Sequence, residues 1–434
     1  MNIDKTPWPM VILLLATATA SYICRVNVST AGPLIMKEFG LSQVAMGRVF
    51  SAFLLGYALF QVPAGALADK WGAPKILGLA AWFWVAITVI QSLTGWGPFQ
   101  VNAGLAIIVF MISRFLLGIS ESPTFPGAAK GVSMWVKPQF RGRANGMVIA
   151  AVGLGSAIAP PLVSFVMVNH GWRTALVVSA IPALVIAIIW QNIKKSRDLV
   201  NNAGLVRQDS MKYKEEPVTD SSIEKPETEN LSSKPLRSTS FILLTISYTL
   251  QGYVGYIFVS WFYIYLVQER HFGLLSGAWM SSLPWVLSII SIPLGGYISD
   301  RLAAGKFGTI WGSRIVPITG MALSGILISI GAHTGSAVIA AITLAFATAF
   351  VLCVEGPFWA MMMNISGKNS GKAGGIMNMG SNIGGLISPT LTPLIASYIG
   401  WENALHVAAV LSIIAAVLWL GVKTGTSNKS LHQV

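Results

Sequence analysis

Residues 65–75 read Gly65-Ala66-Leu67-Ala68-Asp69-Lys70-Trp71-Gly72-Ala73-Pro74-Lys75. This polar knot separates two apolar runs, about 46–68 and 74–95. Each run is long enough for a helix of roughly 20 residues to cross about 30 Å of hydrocarbon. A shorter version, Gly296-x-x-x-Asp300-Arg301, recurs 231 residues later, again between two apolar runs. Two further pairs keep nearly the same offset. Glu121-Ser122-Pro123 returns 234 residues on as Glu355-Gly356-Pro357. Gly171-Trp172-Arg173-Thr174-Ala175-Leu176 returns 229 residues on as Gly400-Trp401-Glu402-Asn403-Ala404-Leu405. Three echoes at near-constant spacing mark a duplicated unit. Parallel membrane halves of this kind hold a solute site near the bilayer midplane, and alternating access comes from rocking one half against the other.

Working outward, apolar runs fall at about 9–30, 46–68, 74–95, 103–129, 144–168 and 174–193. Six more lie at about 239–266, 275–299, 312–332, 335–363, 373–398 and 403–422. The expectation is therefore an all-α polytopic membrane protein with twelve transmembrane helices in two pseudo-symmetric six-helix bundles, residues 1–193 and 238–434. The segment 194–237 between them has nine basic and eight acidic residues and almost no aromatics, a composition that predicts a flexible cytosolic linker. The first run reads as a span and not a cleaved leader: Lys5 is the only cation before it, and the run is long and contains Arg25.

Composition supports the bilayer as solvent. Of 434 residues, 54% are hydrophobic and 10% charged, against about 25% charged in a soluble domain. That excludes a cytosolic enzyme and intrinsic disorder alike. The net charge of +13, from 29 Lys+Arg and 16 Asp+Glu, is by itself compatible with nucleic acid, anionic lipid or basic loops. Its distribution decides. With both termini in the cytosol, the inner loops and tails hold Lys5, Lys70, Lys75, Lys130, Lys137, Arg141, Arg143, Arg301, Lys306, Arg314, Lys368, Lys372, Lys423 and Lys429. The other side holds only Lys37, Arg48, Arg173 and Arg270. Such a bias is the positive-inside signature, not a nucleic-acid footprint. Cys24 and Cys353, the two cysteines, lie in apolar runs without metal or disulfide spacing. Gly367-Lys368-Asn369-Ser370-Gly371-Lys372-Ala373 fails as a phosphate loop, having three residues between its glycines and Ala where Ser or Thr is needed. Asn27-Val28-Ser29 fits a glycosylation acceptor but lies in a membrane run. With no nucleophile elbow, dinucleotide fingerprint or His cluster, neither an enzyme nor a cofactor is expected. A polytopic enzyme or receptor would need a catalytic dyad or a sensory domain that the sequence does not offer.

The 65–75 segment matches the helix 2–3 loop signature of the major facilitator superfamily. Within it the chain resembles the anion:cation symporter family, which includes hexuronate and galactonate transporters, sialin and vesicular glutamate transporters. The carrying segments are Tyr22-Ile23-Cys24-Arg25-Val26-Asn27, Phe50-Ser51-Ala52-Phe53 through Tyr57 to Gln61-Val62-Pro63, and Arg114-Phe115-Leu116-Leu117-Gly118-Ile119-Ser120-Glu121-Ser122-Pro123. Tyr256 through Trp261 to Tyr265-Leu266, and Gly375-Ile376-Met377-Asn378 to Asn382, extend the likeness to the second half. The resemblance implies a secondary active transporter of a small organic anion, such as a hexuronate or aldonate, coupled to protons. It implies a cell-membrane location and Arg25 as a ligand of the substrate anion. A monomer is expected.

Four charges sit at membrane depth: Arg25, Arg114, Glu121 and Glu355. Each costs a few kcal/mol at a helix centre, so a protein-lined functional cavity is the default reading. Arg25 could instead snorkel to the outer surface; a guanidinium suits a carboxylate through its bidentate fork. Arg114, expected to hold the anion together with Arg25, and Glu121, seven residues on, lie on roughly one helix face about 10 Å apart, with Gly118 between them leaving room for a neighbouring helix or a solute. Glu121 matches the family's proton-coupling glutamate; a fixed ion pair with another helix is the other reading. Glu355, its repeat partner, is a second titrating group or a pseudo-symmetric gate residue. Cys24 stands where sugar-acid transporters of the family often have Asp, which reduces the expected number of coupled protons and leaves an uncoupled facilitator or antiporter as the alternative. Phe140 stands where the family has Glu. Asn378 and Asn382, four apart on one face, can bind sugar hydroxyls or glue helices, and Tyr57 and Tyr22 can donate to a carboxylate. Asp69, Lys70, Asp300 and Arg301 are expected to gate.

Overall fold

The computed structural model describes residues 8–195, 235–305 and 307–423; most of the predicted linker lies outside them. The described chain is helical: α1 (Trp8–Phe39), α2 (Gln43–Trp71), α3 (Ala73–Leu93), α4 (Ala103–Glu121), α5 (Thr124–Trp135), α6 (Arg141–Ser179) and α7 (Ile181–Lys195) form the first half. The second half is α8 (Thr239–Ser260), α9 (Phe262–Gln268), α10 (Leu274–Ala304), α11 (Gly308–His333), α12 (Ala337–Cys353), α13 (Glu355–Ser366) and α14 (Ser370–Leu418). Several starts are set by short polar side chains. Ser42, Asn102, Ser238 and Ser336 accept the backbone N–H three residues on, satisfying a donor that the first helical turn leaves free.

Among the described residues, ten continuous helical runs are long and apolar enough to span a bilayer. Two of them, Pro138–Ile193 and Ser370–Gly421, contain 56 and 52 residues; at 1.5 Å per residue the shorter reaches about 78 Å, more than twice a hydrocarbon core. Each folds back at one residue, Gly171 (φ 79°, ψ 165°) and Gly400 (φ 84°, ψ 160°). Only glycine takes that backbone geometry without strain. Counting each as two crossings gives the twelve expected. The repeated Gly-Trp pair is thus a turn signal, and the following indole anchors it: Trp172 Nε1 donates to Glu38 (2.7 Å), Trp401 Nε1 to Gln43 (2.9 Å).

Four predicted spans are interrupted, among them 174–193, which breaks at Ala180 just before Ile181-Pro182. The run 103–129 breaks at Ser122-Pro123, and 335–363 breaks at Val354, just before Glu355-Gly356-Pro357. Proline removes an N–H and crowds the carbonyl four residues back, so both breaks follow from the repeated proline. The run 239–266 breaks at Trp261, whose indole donates to the Pro389 carbonyl (2.9 Å) in α14.

The described chain ends share one face of the bundle, here termed the termini face. At the opposite face the two halves meet. Gln43 Nε2 donates to Gln268 Oε1 (3.1 Å), and Ser51 Oγ to the Leu386 carbonyl (2.7 Å). Ser164 Oγ donates to the Leu274 carbonyl (2.8 Å). A continuous apolar cluster crosses the seam there, from Val28, Met46 and Phe50 to Ile257, Phe258 and Trp261. Two further clusters draw their buried members from one half each, Leu77, Trp84 and Trp190 in the first and Phe358 and Trp419 in the second, although Tyr256 and Leu386 of the second half pack against the first. The halves are sealed together at the face away from the termini. Outward side chains such as Val62 and Ile290 are exposed, as a lipid-facing surface requires.

Candidate functional site

Arg25 lies in mid-α1 and is 5% exposed, so it does not snorkel. Its Nε and Nη2 donate to one oxygen of Glu121, at 3.0 and 2.9 Å, and its Nη1 to the Tyr22 hydroxyl at 3.1 Å. Glu121 is the last residue of α4, placed there by the proline break. The ion pair left open as one reading of Glu121 is therefore present in this conformation. Three rings pack on the guanidinium, Tyr22 at 4.3 Å, Phe53 at 4.8 Å and Tyr57 at 4.9 Å, which offsets part of the cost of burying it.

Arg114 does not pair with Glu121 along its own helix. Its Nη1 and Nη2 donate to the carbonyls of Cys24 (3.2 Å) and Arg25 (2.5 Å), and its guanidinium lies 5.0 Å from the Phe53 ring. Arg114 Nε and Glu121 Oε1 are buried without partners. The cluster thus holds two guanidiniums and one carboxylate, an excess of one positive charge among buried groups. Isolated buried charge is costly, and a bound anion would balance this excess.

Beside it is a cavity of about 20 Å³ lined by Arg25, Ser29, Phe50, Phe53, Arg114 and Tyr256, among others. That is room for about one water. A solute larger than water needs the lining of the two halves to move apart. Gly118, read as space for a helix or solute, serves the helix: a Cβ there would sit 2.0 Å from the Phe53 carbonyl oxygen and 2.8 Å from Tyr57 N. Close approach of α2 and α4 is what brings Phe53 under both arginines.

The other predicted residues are dispersed. Asn378 Nδ2 donates to Gln61 Oε1 (3.0 Å) across the seam, a contact between halves and not a cavity wall. Asn382 is buried on the same helix. Glu355 belongs to a separate cluster with Tyr248, Gln251 and Trp359. Asp69 pairs with Lys130 at 3.0 Å, an exposed bridge of the kind that contributes at most about 1 kcal/mol. Lys70 and Asp300 are exposed, and Arg301 lies over the Tyr297 ring at 5.0 Å. Cys24 Sγ faces the Ser179 carbonyl at 4.0 Å, away from the cavity. Phe140 packs near Trp8. Sequence reasoning missed Phe53, Tyr256 and Ser29 as site residues. Phe53 was discoverable, since it precedes Tyr57 by one helical turn; in the structure the two rings stack at 6.1 Å.

The family model of the Major Facilitator Superfamily matches residues 13–369 and 302–433. The chain is 30% identical over 426 residues to the probable galactarate/D-glucarate transporter GudP of Bacillus subtilis (strain 168), covering 95% of this chain and 90% of the relative. It is 26% identical to the hexuronate transporter of the same organism, over 95% of this chain and 94% of the relative. It is 29% identical to the probable sulfoacetate transporter SauU of Cupriavidus necator, over 86% and 83%. Among solved structures, a bacterial homolog of the human lysosomal transporter Spinster, inward-facing and occupied, aligns with TM-score 0.74 at 16% identity, covering 97% of this chain and 99% of that one. A D-xylose-proton symporter aligns with TM-score 0.73 at 15% identity, over 98% and 100%. At such identity these structures show the fold alone. The chain belongs to the Major Facilitator Superfamily of multi-pass membrane transporters, and its relatives agree with the anion:cation symporter-like branch that its motifs resemble.

Proposed function

We propose that the protein moves a sugar-acid anion, of the hexuronate or aldonate class, together with a proton by alternating access. The observation that carries this reading is the buried Arg25–Arg114–Glu121 cluster, with its one excess positive charge beside a cavity on the seam. Glu121 and a substrate carboxylate compete for the same guanidinium fork. When Glu121 is ionised it occupies Arg25. When it binds a proton, Arg25 is free to take the substrate through a bidentate contact. Anion and proton then enter together with no change in the charge of the site, and they leave together when Glu121 reclaims Arg25. Tyr22 and Tyr57 orient the carboxylate, and Asn378 and Asn382 meet hydroxyls when the halves part. Residues 1–193 and 238–434 act as the two rocking bodies. The termini face is the cytosolic side of the cell membrane, as the lysine and arginine bias of the loops requires, and the Asp69–Lys130 contact with Lys70, Asp300 and Arg301 controls its opening. One chain suffices for the cycle.

The test is uptake by proteoliposomes under an imposed pH gradient. The wild type is expected to concentrate the anion and to acidify the interior. Glu121→Gln should still exchange substrate but no longer accumulate it. Accumulation by Glu121→Gln equal to the wild type would overturn the coupling role, and uptake without acidification would make the protein a facilitator or antiporter.

A further inference from the structure

The second half contains a half-buried polar cluster of opposite character. Glu355 opens α13 at the break that matches Glu121 in the first half. Its Oε1 accepts from the Tyr248 hydroxyl and from the Trp359 indole at 3.0 Å; its Oε2 accepts from Gln251 Nε2 at 3.3 Å. Gln251 Nε2 also donates to the Val351 carbonyl at 3.3 Å, which fixes the amide end that faces Glu355. An indole N–H and an amide NH₂ only donate, so these neighbours are complementary to an accepting carboxylate. Among the described residues no Lys or Arg pairs with it. The two halves therefore carry a glutamate at the same repeat position with opposite surroundings, guanidinium in one and neutral donors in the other.

The helix whose Tyr248 and Gln251 bond Glu355 also builds the cavity. Tyr248 and Gln251 lie on α8, which further on contributes Tyr256, Val259 and Ser260 to the cavity wall. Tyr248 and Tyr256 are about 12 Å apart along the axis and within a quarter turn of one face. Tyr256 lines the cavity together with Arg25 and Arg114, and Tyr248, two turns back on the same helix, bonds Glu355. One helix thus joins the wall beside Arg25 to a carboxylate that, among the described residues, has no cation paired with it.

We propose that Glu355 is a specificity-determining residue. It accepts hydroxyl donors at the end of the solute remote from its carboxylate and repels a second carboxylate there. The protein then takes polyhydroxy monocarboxylates and discriminates against dicarboxylates of the same carbon skeleton. This rests on the sugar-acid reading above and narrows it. Among the cargoes that name the relatives, it selects the hexuronate type over galactarate and D-glucarate, which name a relative of higher identity. Juxtaposed like charges away from bulk water give a discrimination of about tenfold or more.

Galactonate and galactarate provide the test, since they differ only in whether the terminal carbon is an alcohol or a carboxylate. In proteoliposomes with the wild-type protein, galactonate is expected to be taken up with at least about tenfold higher affinity than galactarate. Glu355→Gln should shrink that ratio by about tenfold, chiefly through improved galactarate uptake. Equal affinities in the wild type, or an unchanged ratio in Glu355→Gln, would overturn the proposal while leaving sugar-acid transport intact. The ratio is internal to each preparation, so a lower yield does not mask it. If Glu355→Gln is not recovered folded, the wild type decides alone: galactarate stabilising it against heat as well as galactonate does would also overturn the proposal. If neither acid enters or stabilises, the sugar-acid reading falls and this inference with it.

Discussion

Breaking the Arg25–Glu121 pair from its two ends should have unequal cost. The charges are 2.9 Å apart at nearest approach, with 5% and 0% of their side chains exposed. With charge centres about 4 Å apart and an effective dielectric near 20, their attraction is about 4 kcal/mol. Glu121→Gln keeps the shape and an acceptor oxygen but leaves a guanidinium that cannot shed its charge. The expected destabilisation is about 3–4 kcal/mol, near the lower end for an orphaned buried charge. Arg25→Met keeps an apolar stem under Tyr22, Phe53 and Tyr57. The stranded carboxyl can neutralise itself by binding a proton, which limits the cost to about 1–2 kcal/mol. The double variant buries no charge at this pair and should lie close to Arg25→Met. The assay is thermal unfolding of purified protein in detergent at one scan rate, since unfolding of such proteins is irreversible. Glu121→Gln should lower the apparent Tm by roughly 4–8 °C and Arg25→Met by about half as much. An inverted order, or a double variant equal to the sum of the singles, would refute the argument that one electrostatic contact dominates both residues.

Packing and closure supply two more tests. Gly118→Ala would place a Cβ 2.0 Å from the Phe53 carbonyl oxygen, so it should lower the apparent Tm by an amount equivalent to about 1–3 kcal/mol. Gly375→Ala meets nothing within 4 Å and should be neutral or slightly stabilising; equal effects would refute the close approach of α2 and α4. Gln43 bonds Gln268 Oε1 across the seam and receives the Trp401 indole. Gln43→Ala should therefore raise the reaction of a Ser29→Cys probe with an impermeant thiol reagent added at the face away from the termini, several-fold over the same probe with Gln43 intact. Unchanged labelling would show that this contact does not hold the seam shut.

Sequence periodicity and charge were enough to reveal the membrane class, the duplicated halves, the family and the four intramembrane charges. These are properties of composition and spacing, because a bilayer excludes charge and an apolar helix must be long enough to cross it. Even the single-residue turns were written locally, as Gly-Trp pairs at Gly171 and Gly400, although their meaning required φ. Contacts between residues distant in the chain were not legible. Arg25 meets Glu121 across 96 positions, and Asn378 meets Gln61 across 317. One sequence without tertiary packing therefore could not separate a cavity wall from a seam contact. Gly118 shows the same limit, since its lack of a side chain is equally suited to a solute or a helix until the Phe53 carbonyl is found against it. What the sequence by itself determined is which residues are costly to bury. What only the tertiary structure decided is which partners offset that cost, because burial energies are set by neighbours brought together when the helices pack, and the chain order of those neighbours carries no trace of the pairing.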